Sequence, residues 1–168
     1  MTIRNLTLIA ASGCALLQFG AQFFAISVMA STIAAAPPRS FRILSGADRY
    51  NSEMFWQTVP PVTLVLLIAA LVANWRTGRR GLLLVALALF IAGGVIAGAA
   101  LEPMFADMIA QAYADTVDPN LHARAQRWLL LDWAVWAVGF VACLSLLVAL
   151  ARPETAGRGQ DVRLNRQR

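Results

Sequence analysis

The chain has 168 residues, is 59% hydrophobic and only 14% charged, and has a mean hydropathy of +0.63. This composition excludes an ordinary soluble domain and predicts an integral membrane protein. The apolar runs are continuous, which excludes an outer-membrane barrel built from alternating strands of ~10 residues. The net charge of +5 is expected to act on topology and lipid head groups, because no nucleic-acid motif accompanies it.

Four apolar runs are long enough to cross a hydrocarbon core as helices of ~20 residues. They span residues 6–36, 59–75, 81–101 and 128–151. We expect an all-α fold, a four-transmembrane-helix antiparallel bundle that forms a single membrane domain over residues 1–152. Residues 153–168 are polar and are expected to be a disordered basic cytoplasmic tail. The first run is about twice the ~7–15 residues of a signal peptide's apolar region, so it is expected to stay as an anchor.

The distribution of arginine predicts the orientation in the membrane. With a cytoplasmic N-terminus, nine of the 14 basic residues, all arginines, lie on the inner side and five on the outer side. Cytoplasmic loops carry the excess of positive charge. The sequence therefore predicts a multi-pass protein of a bacterial-type inner (cytoplasmic) membrane with both termini cytoplasmic.

Residues typical of helix starts predict that two helices begin before their apolar runs. The second helix is predicted to begin at Ser52 or, in the alternative interpretation, at Pro60. Asp118 followed by proline is typical of a helix start, so the fourth helix is predicted to begin well outside the membrane. Between the third and fourth spans, residues 104–113 can place apolar side chains on one face, which predicts a short amphipathic helix in that loop.

Small residues inside the spans carry weaker signals. Gly94 and Gly98 form a GxxxG pattern, which indicates either a close helix contact or the ordinary abundance of glycine in membrane helices. Cys14 and Cys143 are predicted to lie at similar depth in one leaflet. Without a CxxC motif we expect them to be buried apolar side chains and not a redox pair.

Asp132 is an acid inside an otherwise apolar run. A charge facing lipid is expensive, so intramembrane acids face the bundle interior or a wet cavity and are commonly functional. Trp128 and Trp136 lie one turn to either side on the same helix face, which predicts an aromatic pocket with indole N–H groups near the carboxylate. The alternative is a structural contact of Asp132 with Arg127 or Gln22.

Further polar and aromatic residues are predicted to reach the same outward-opening pocket. Gln18 and Gln22 add amides from the first span. The candidate catalytic acids are Asp132 and Glu102, and the candidate substrate-binding residues are Trp56, Gln57, Trp128, Trp136, His122 and Gln22. In a simpler interpretation the tryptophans form an ordinary interfacial belt. One histidine among scattered carboxylates does not predict a metal site, and the sequence names no cofactor.

Several features occur in a recognisable order: Asn51 and Phe55-Trp56 before a proline-containing second span, WRTGRRG after it, Leu101-Glu102-Pro103 after the third, and Arg127-Trp128 with Asp132-Trp133 opening the fourth. This order, over about residues 5–151, resembles the small four-helix anthrone-oxygenase-like membrane family. The resemblance implies a four-span bundle and, for a few relatives, cofactor-independent oxidation of a polycyclic phenolic anthrone to a quinone. The chain departs from that family at Glu102, where relatives often have Asn, and early in the fourth span, where they often have His and Arg.

Two functions follow as expectations. The chain either binds or oxidises a flat lipophilic small molecule, phenolic or quinone-like, or it is a non-catalytic accessory or assembly subunit of a larger membrane complex. Its expected partners are membrane lipids, a lipophilic small molecule, and a second copy or a larger complex, with no nucleic acid. Transport is disfavoured because no chain of charges crosses the spans.

Overall fold

The computed structural model describes residues 2–44, 51–111 and 113–153, and over these residues the fold is all helical. Four helical runs are long and apolar enough to cross a membrane. They are α1 (Ile3–Ala35), α2 (Glu53–Ala73), α3 (Arg80–Ile109) and α4 (Pro119–Ala151). The prediction of an all-α fold with four membrane-length helices is confirmed. The expected disordered tail lies, from residue 154 onward, outside the described residues.

Two of the long helices contain a π-helical stretch. In α1 it is Ala25–Ala30 and in α3 it is Ala97–Leu101. In α3 the chain then continues without a break as the α-helical segment Glu102–Ile109. Pro103 has no N–H to donate into the turn before it, which fits the altered hydrogen bonding of that turn. The segment expected as a separate loop helix is thus a helical extension of α3.

The starts of α2 and α4 follow the local signals in the sequence. The helix α2 begins at Glu53, whose backbone N–H donates to Asn51 Oδ1 at 2.9 Å, so the earlier of the two predicted starts is the observed one. The helix α4 begins at Pro119, and the Asp118 carboxylate accepts from the backbone N–H of Asn120 at 2.8 Å. This cap satisfies a backbone donor that has no partner inside the helix.

Two buried clusters of apolar side chains hold the helices together. One joins α1, α2, α3 and α4 through small and aliphatic residues such as Ala11, Leu67, Ala86 and Leu146. The other includes Trp128 and packs the end of α1, the second half of α3 and the first half of α4. Many large apolar side chains on the outer surfaces of all four helices are exposed. Such a surface suits lipid and is compatible with a multi-pass membrane protein.

The two cysteines lie in different surroundings. Cys14 Sγ is 3.1 Å from Thr63 Oγ1, a contact between α1 and α2. Cys143 is buried in the first cluster, and both thiols are free. Cys143 is therefore buried as expected from the sequence, whereas Cys14 is half-buried and contacts a hydroxyl group.

The loop before α4 contains a tyrosine whose hydrogen bond can be tested by pH titration. The Tyr113 hydroxyl donates to the Asp115 carboxylate, and this hydrogen bond raises the pKa of Tyr113 above its ordinary value because it stabilises the protonated phenol. In a Tyr50→Phe background, where Tyr113 is the one remaining tyrosine, we expect tyrosinate absorbance to rise at higher pH than for free tyrosine. Asp115→Ala should move the titration to lower pH, and Asp107→Asn should not. An unmoved titration in Asp115→Ala would contradict the contact.

Candidate functional site

A cavity of about 760 Å³ lies between the four long helices. This volume falls inside the ~300–1,000 Å³ range of small-molecule sites. Both π-helical stretches contribute to its wall, through Ala25 and Met29 in α1 and through Ala97 and Gly98 in α3. Because π-helical turns concentrate at functional sites, their shared position on one cavity marks it as the candidate site.

Asp132 lines this cavity and is half-buried. Gln22 Nε2 on α1 donates to Asp132 Oδ1 on α4 at 3.2 Å. Of the two structural partners expected from the sequence, Gln22 makes the contact, whereas Arg127 is exposed and is not part of the cavity wall. The carboxyl group thus has one oxygen held by an amide donor, and it faces an open volume.

The two tryptophans that flank Asp132 differ from each other. Trp128 lines the cavity, is 8% exposed and stacks on Phe105 at 5.2 Å between ring centroids. Its Nε1 has no hydrogen-bond partner among the residues that the structure describes. Trp136 lies outside the wall, and its Nε1 donates to the backbone oxygen of Phe19 at 3.0 Å. Neither indole donates to Asp132. The Trp136 N–H is hydrogen-bonded to the Phe19 oxygen on α1, and the Trp128 N–H has no acceptor in the described chain.

Gln18 lies one turn from Gln22 on α1 and lines the same cavity. It is 7% exposed, and its Oε1 accepts no hydrogen bond within the described part of the chain. A buried amide oxygen without a donor costs ~1–3 kcal/mol relative to one that is paired. Gln18 Oε1 and Trp128 Nε1 are thus unpaired within the described residues, and both atoms are packed behind the surface of the cavity.

The wall also contains two exposed acids, Glu102 on α3 and Glu53 on α2. Glu53 Oε1 accepts from Gln57 Nε2 at 2.7 Å. Gln57 itself is outside the wall, whereas Trp56 is half-buried within it and contacts Phe55 edge to face. Both glutamates are exposed and Asp132 is half-buried, so Asp132 is the least accessible of the three acids on the wall.

His122 lies outside the cavity wall, and its Nδ1 is buried without a partner in the described residues. Within residues 2–44, 51–111 and 113–153, no group of three or more His, Cys, Asp or Glu side chains could hold a metal ion. Of the eight residues nominated from the sequence, five line the cavity and three do not. The five are Asp132, Glu102, Trp56, Trp128 and Gln22, and the three are Gln57, Trp136 and His122.

Sequence reasoning missed several wall residues. Phe90 and Phe105 of α3 add aromatic surface. Gly94 and Gly98 also line the cavity, and a Cβ added at either would meet no atom within 4 Å. The GxxxG pattern therefore faces open volume and not a neighbouring helix. Its spacing was visible in the sequence, but the absence of a facing helix was not.

The chain matches no protein-family model, no curated protein and no solved structure.

Proposed function

We propose that the protein binds a flat, lipophilic small molecule with a phenolic or quinone-like oxygen in the cavity between its four helices. The observation that carries the proposal is a cavity of about 760 Å³ whose wall combines the half-buried carboxyl group of Asp132 with the aromatic rings of Phe90, Phe105 and Trp128. Binding sites are mostly apolar with a few well-placed polar groups.

The aromatic side chains suit a planar ligand. Phe90, Phe105 and Trp128 line the wall, and the last two are already stacked, with an interplanar angle of 24°. Aromatic rings gain from offset or edge contacts with further rings. Asp132 accepts a hydrogen bond from a hydroxyl group of the ligand, because Gln22 donates to only one of its oxygens. The body of the ligand then lies along the aromatic wall.

The proposed setting is an inner (cytoplasmic) membrane, with both termini cytoplasmic and the four helices antiparallel. Contacts at one end of the molecule support this arrangement: Asn74 Nδ2 at the end of α2 donates to the Arg4 oxygen at 3.2 Å, and Arg79 beside α3 donates to Asn5 Oδ1 at 2.6 Å and to Arg152. Three of these five residues are arginines, as expected for a cytoplasmic face. The cavity then opens outward, and Glu102–Ile109 lies at the outer interface.

Oxidation of the bound molecule is the narrower proposal that the anthrone-oxygenase-like resemblance adds. In it, a methylene group between phenolic rings loses a proton to Asp132 and reacts with O₂ to give a ketone and water. The position of Asp132 on the cavity wall supports this role. Asp132→Asn should stop O₂ consumption with an anthrone substrate while leaving ligand binding measurable, and unchanged turnover would remove the chemical role.

One observation favours the accessory-subunit alternative. The hydrogen bond from Gln22 to Asp132 joins α1 to α4, so the acid also works as a contact between helices. A subunit of a larger complex should copurify with partner chains at fixed ratio, whereas a binding protein should be stable alone or as a homo-oligomer. Cross-linking before solubilisation distinguishes the two.

The test of ligand binding uses the glycines of the cavity wall. Gly98→Phe places a ring in the open volume, so we expect it to weaken binding of hydroxyanthracene, a flat phenolic probe, by at least about tenfold, the equivalent of ~1.4 kcal/mol. Binding is measured by fluorescence titration of the protein in lipid nanodiscs, with empty nanodiscs as the blank.

The matched control is Gly20→Phe on α1, which is exposed, is outside the cavity wall and has no atom within 4 Å of an added Cβ. It should bind the probe like the original chain. Saturable binding that both substitutions weaken equally, or no saturable binding at all, would contradict the proposed function.

A further inference from the structure

The N-terminal segment of α2, Glu53–Val59, is packed less closely than the rest of that helix. None of its residues is buried, and the first buried side chain of α2 is Thr63. Neither of the two buried apolar clusters includes a residue of this segment, and α2 joins them only from Leu66 onward. The first two turns of α2 are thus outside the packed core.

The directed contacts of this segment stay at the start of α2. The Glu53 N–H donates to Asn51 Oδ1 at 2.9 Å, Gln57 Nε2 donates to Glu53 Oε1 at 2.7 Å, and the rings of Phe55 and Trp56 meet edge to face. Within the part of the chain that the structure describes, no hydrogen bond, ion pair or ring contact joins the segment to α1, α3 or α4. The segment can therefore move without breaking a directed contact to another helix.

A pair of prolines, Pro60 and Pro61, separates this segment from the remainder of α2. Proline has no N–H, so the carbonyl groups of Trp56 and Gln57, four residues earlier, lose their helical donors. Sharp bends in helices are found at such positions. The hydrogen bonding of α2 is therefore weakest where the segment ends.

Thr63 fixes α2 directly after the prolines. It is fully buried, and its Oγ1 lies 3.1 Å from Cys14 Sγ of α1. The same hydroxyl group donates to the Val59 carbonyl at 2.9 Å, a type of hydrogen bond that often bends a helix. One side of the proline pair is thus anchored to α1, while the other side is free of the core.

The loosely packed segment forms part of the cavity wall. Glu53 and Trp56 line the cavity, and so does Pro60, whereas no later residue of α2 does. Deeper in the bundle the wall belongs to α1, α3 and α4, as far as Gln18 and Gly139. A rotation of the segment about the prolines would therefore change the width of the cavity and leave both buried clusters intact.

We infer that the N-terminal segment of α2 is a gate that swings about Pro60-Pro61 and admits the ligand to the cavity. Hinges are a few residues that absorb a backbone change between parts that move as units. The role in ligand entry rests on the proposed function, whereas the motion is a property of the unliganded protein. The two can therefore be tested separately.

The motion is measured by double electron–electron resonance between pairs of spin labels, with the protein in lipid nanodiscs and in a cysteine-free background. One pair joins Met54, which is 84% exposed and outside the cavity wall, to the exposed Ala123 of α4. The reference pair joins Val72 of α2 to Val148 of α4, both exposed and beyond the prolines. We expect the Met54–Ala123 distance distribution to be at least about twice as wide as the reference, and saturating hydroxyanthracene to narrow it.

Two proline substitutions test the hinge. Pro60→Ala combined with Pro61→Ala restores both N–H donors and should narrow the Met54–Ala123 distribution to the reference width without any ligand. Pro61→Ala alone, exposed and outside the wall, should slow association and dissociation of hydroxyanthracene alike, by about tenfold, because a gate changes the barrier and not the two end states. Val62→Ala, exposed beside the prolines, is the control and should leave both rates unchanged.

The outcomes separate the gate from the proposed function. A Met54–Ala123 distribution as narrow as the reference, or one that the double proline substitution leaves unchanged, overturns the inference. Equal rates in Pro61→Ala and the original chain overturn the role in ligand entry. If hydroxyanthracene still binds in these cases, the proposed function stands. A mobile segment without saturable binding of the probe overturns the proposed function and, with it, the role in entry.

Discussion

Gly139→Ala is expected to destabilise the protein by about 1–3 kcal/mol, the usual cost of an overpacked contact between helices. A Cβ at Gly139 would lie 1.8 Å from Phe19 Cε1 and 2.2 Å from Phe19 Cζ. Phe19 is 8% exposed, makes an edge-to-face contact with Phe90 and lines the cavity. Its backbone is held as well, because its carbonyl accepts from Trp136 Nε1. The substitution must therefore displace the Phe19 ring, either into the cavity or together with α1.

The measurement is equilibrium unfolding of the solubilised protein, with Gly20→Ala as the control. Gly20 follows Phe19 on the same helix, and an added Cβ there meets no atom within 4 Å. We expect little change for Gly20→Ala and a partial recovery when Phe19→Leu is combined with Gly139→Ala. Similar losses for both single glycine substitutions would show that helix propensity or lipid contact, and not the Phe19 ring, determines the effect.

The sequence predicted those parts of the fold that depend on local properties. Apolar length alone identified four helices long enough to cross a membrane, and Asp118 followed by proline predicted the region where α4 begins. Helical spacing placed Trp128 and Asp132 on one face, and both line the cavity. Each of these inferences needed only the chemistry of a single helix.

The features that were not predicted depend on how the helices face one another. Trp136 shares a helical face with Asp132 in sequence, yet its N–H donates to α1, because Phe19 O lies within reach at 3.0 Å. The π-helical stretch Ala97–Leu101 shifts the angular position of every residue after it, so the contribution of Phe105 to the cavity could not be read from a regular period of 3.6 residues. An aspartate in an apolar run, in contrast, can be identified directly from the sequence.

Asp132 was recognised from the sequence as a candidate site residue, but the sequence did not decide between two roles for it. The sequence allowed either a contact that holds helices together or the acid of a pocket. The structure contains the Gln22 contact and places the same carboxyl group on a cavity wall. These roles are compatible, because a carboxylate has two oxygens and several lone pairs, and one amide donor leaves acceptor capacity for a ligand.

Arg79→Met is expected to cost about 2–4 kcal/mol, because hydrogen bonds from a charged donor are worth ~1.5–3 kcal/mol each and the acceptors on two other helices lose their donor. Arg79 is 4% exposed. Its Nε donates to the Arg152 oxygen at 2.9 Å and its Nη1 to Asn5 Oδ1 at 2.6 Å. One side chain thus ties the start of α3 to the end of α4 and the start of α1. The Arg152 carbonyl has no donor inside its own helix, so Arg79 acts as its cap.

Arg76→Met is the control for Arg79→Met, because Arg76 is exposed and lies in the same connection between α2 and α3. Both substitutions remove one positive charge from that connection. A change in membrane topology would affect both variants equally, since it depends on the number of basic residues in the loop. We expect only Arg79→Met to lower the unfolding midpoint, and Arg79→Lys to recover part of the loss because an ammonium group restores the charge but not the fork of donors. Hydrogen exchange should accelerate first in the last turn of α4. Equal destabilisation by Arg76→Met and Arg79→Met would mean that loop charge, and not the buried hydrogen bonds, holds this end together.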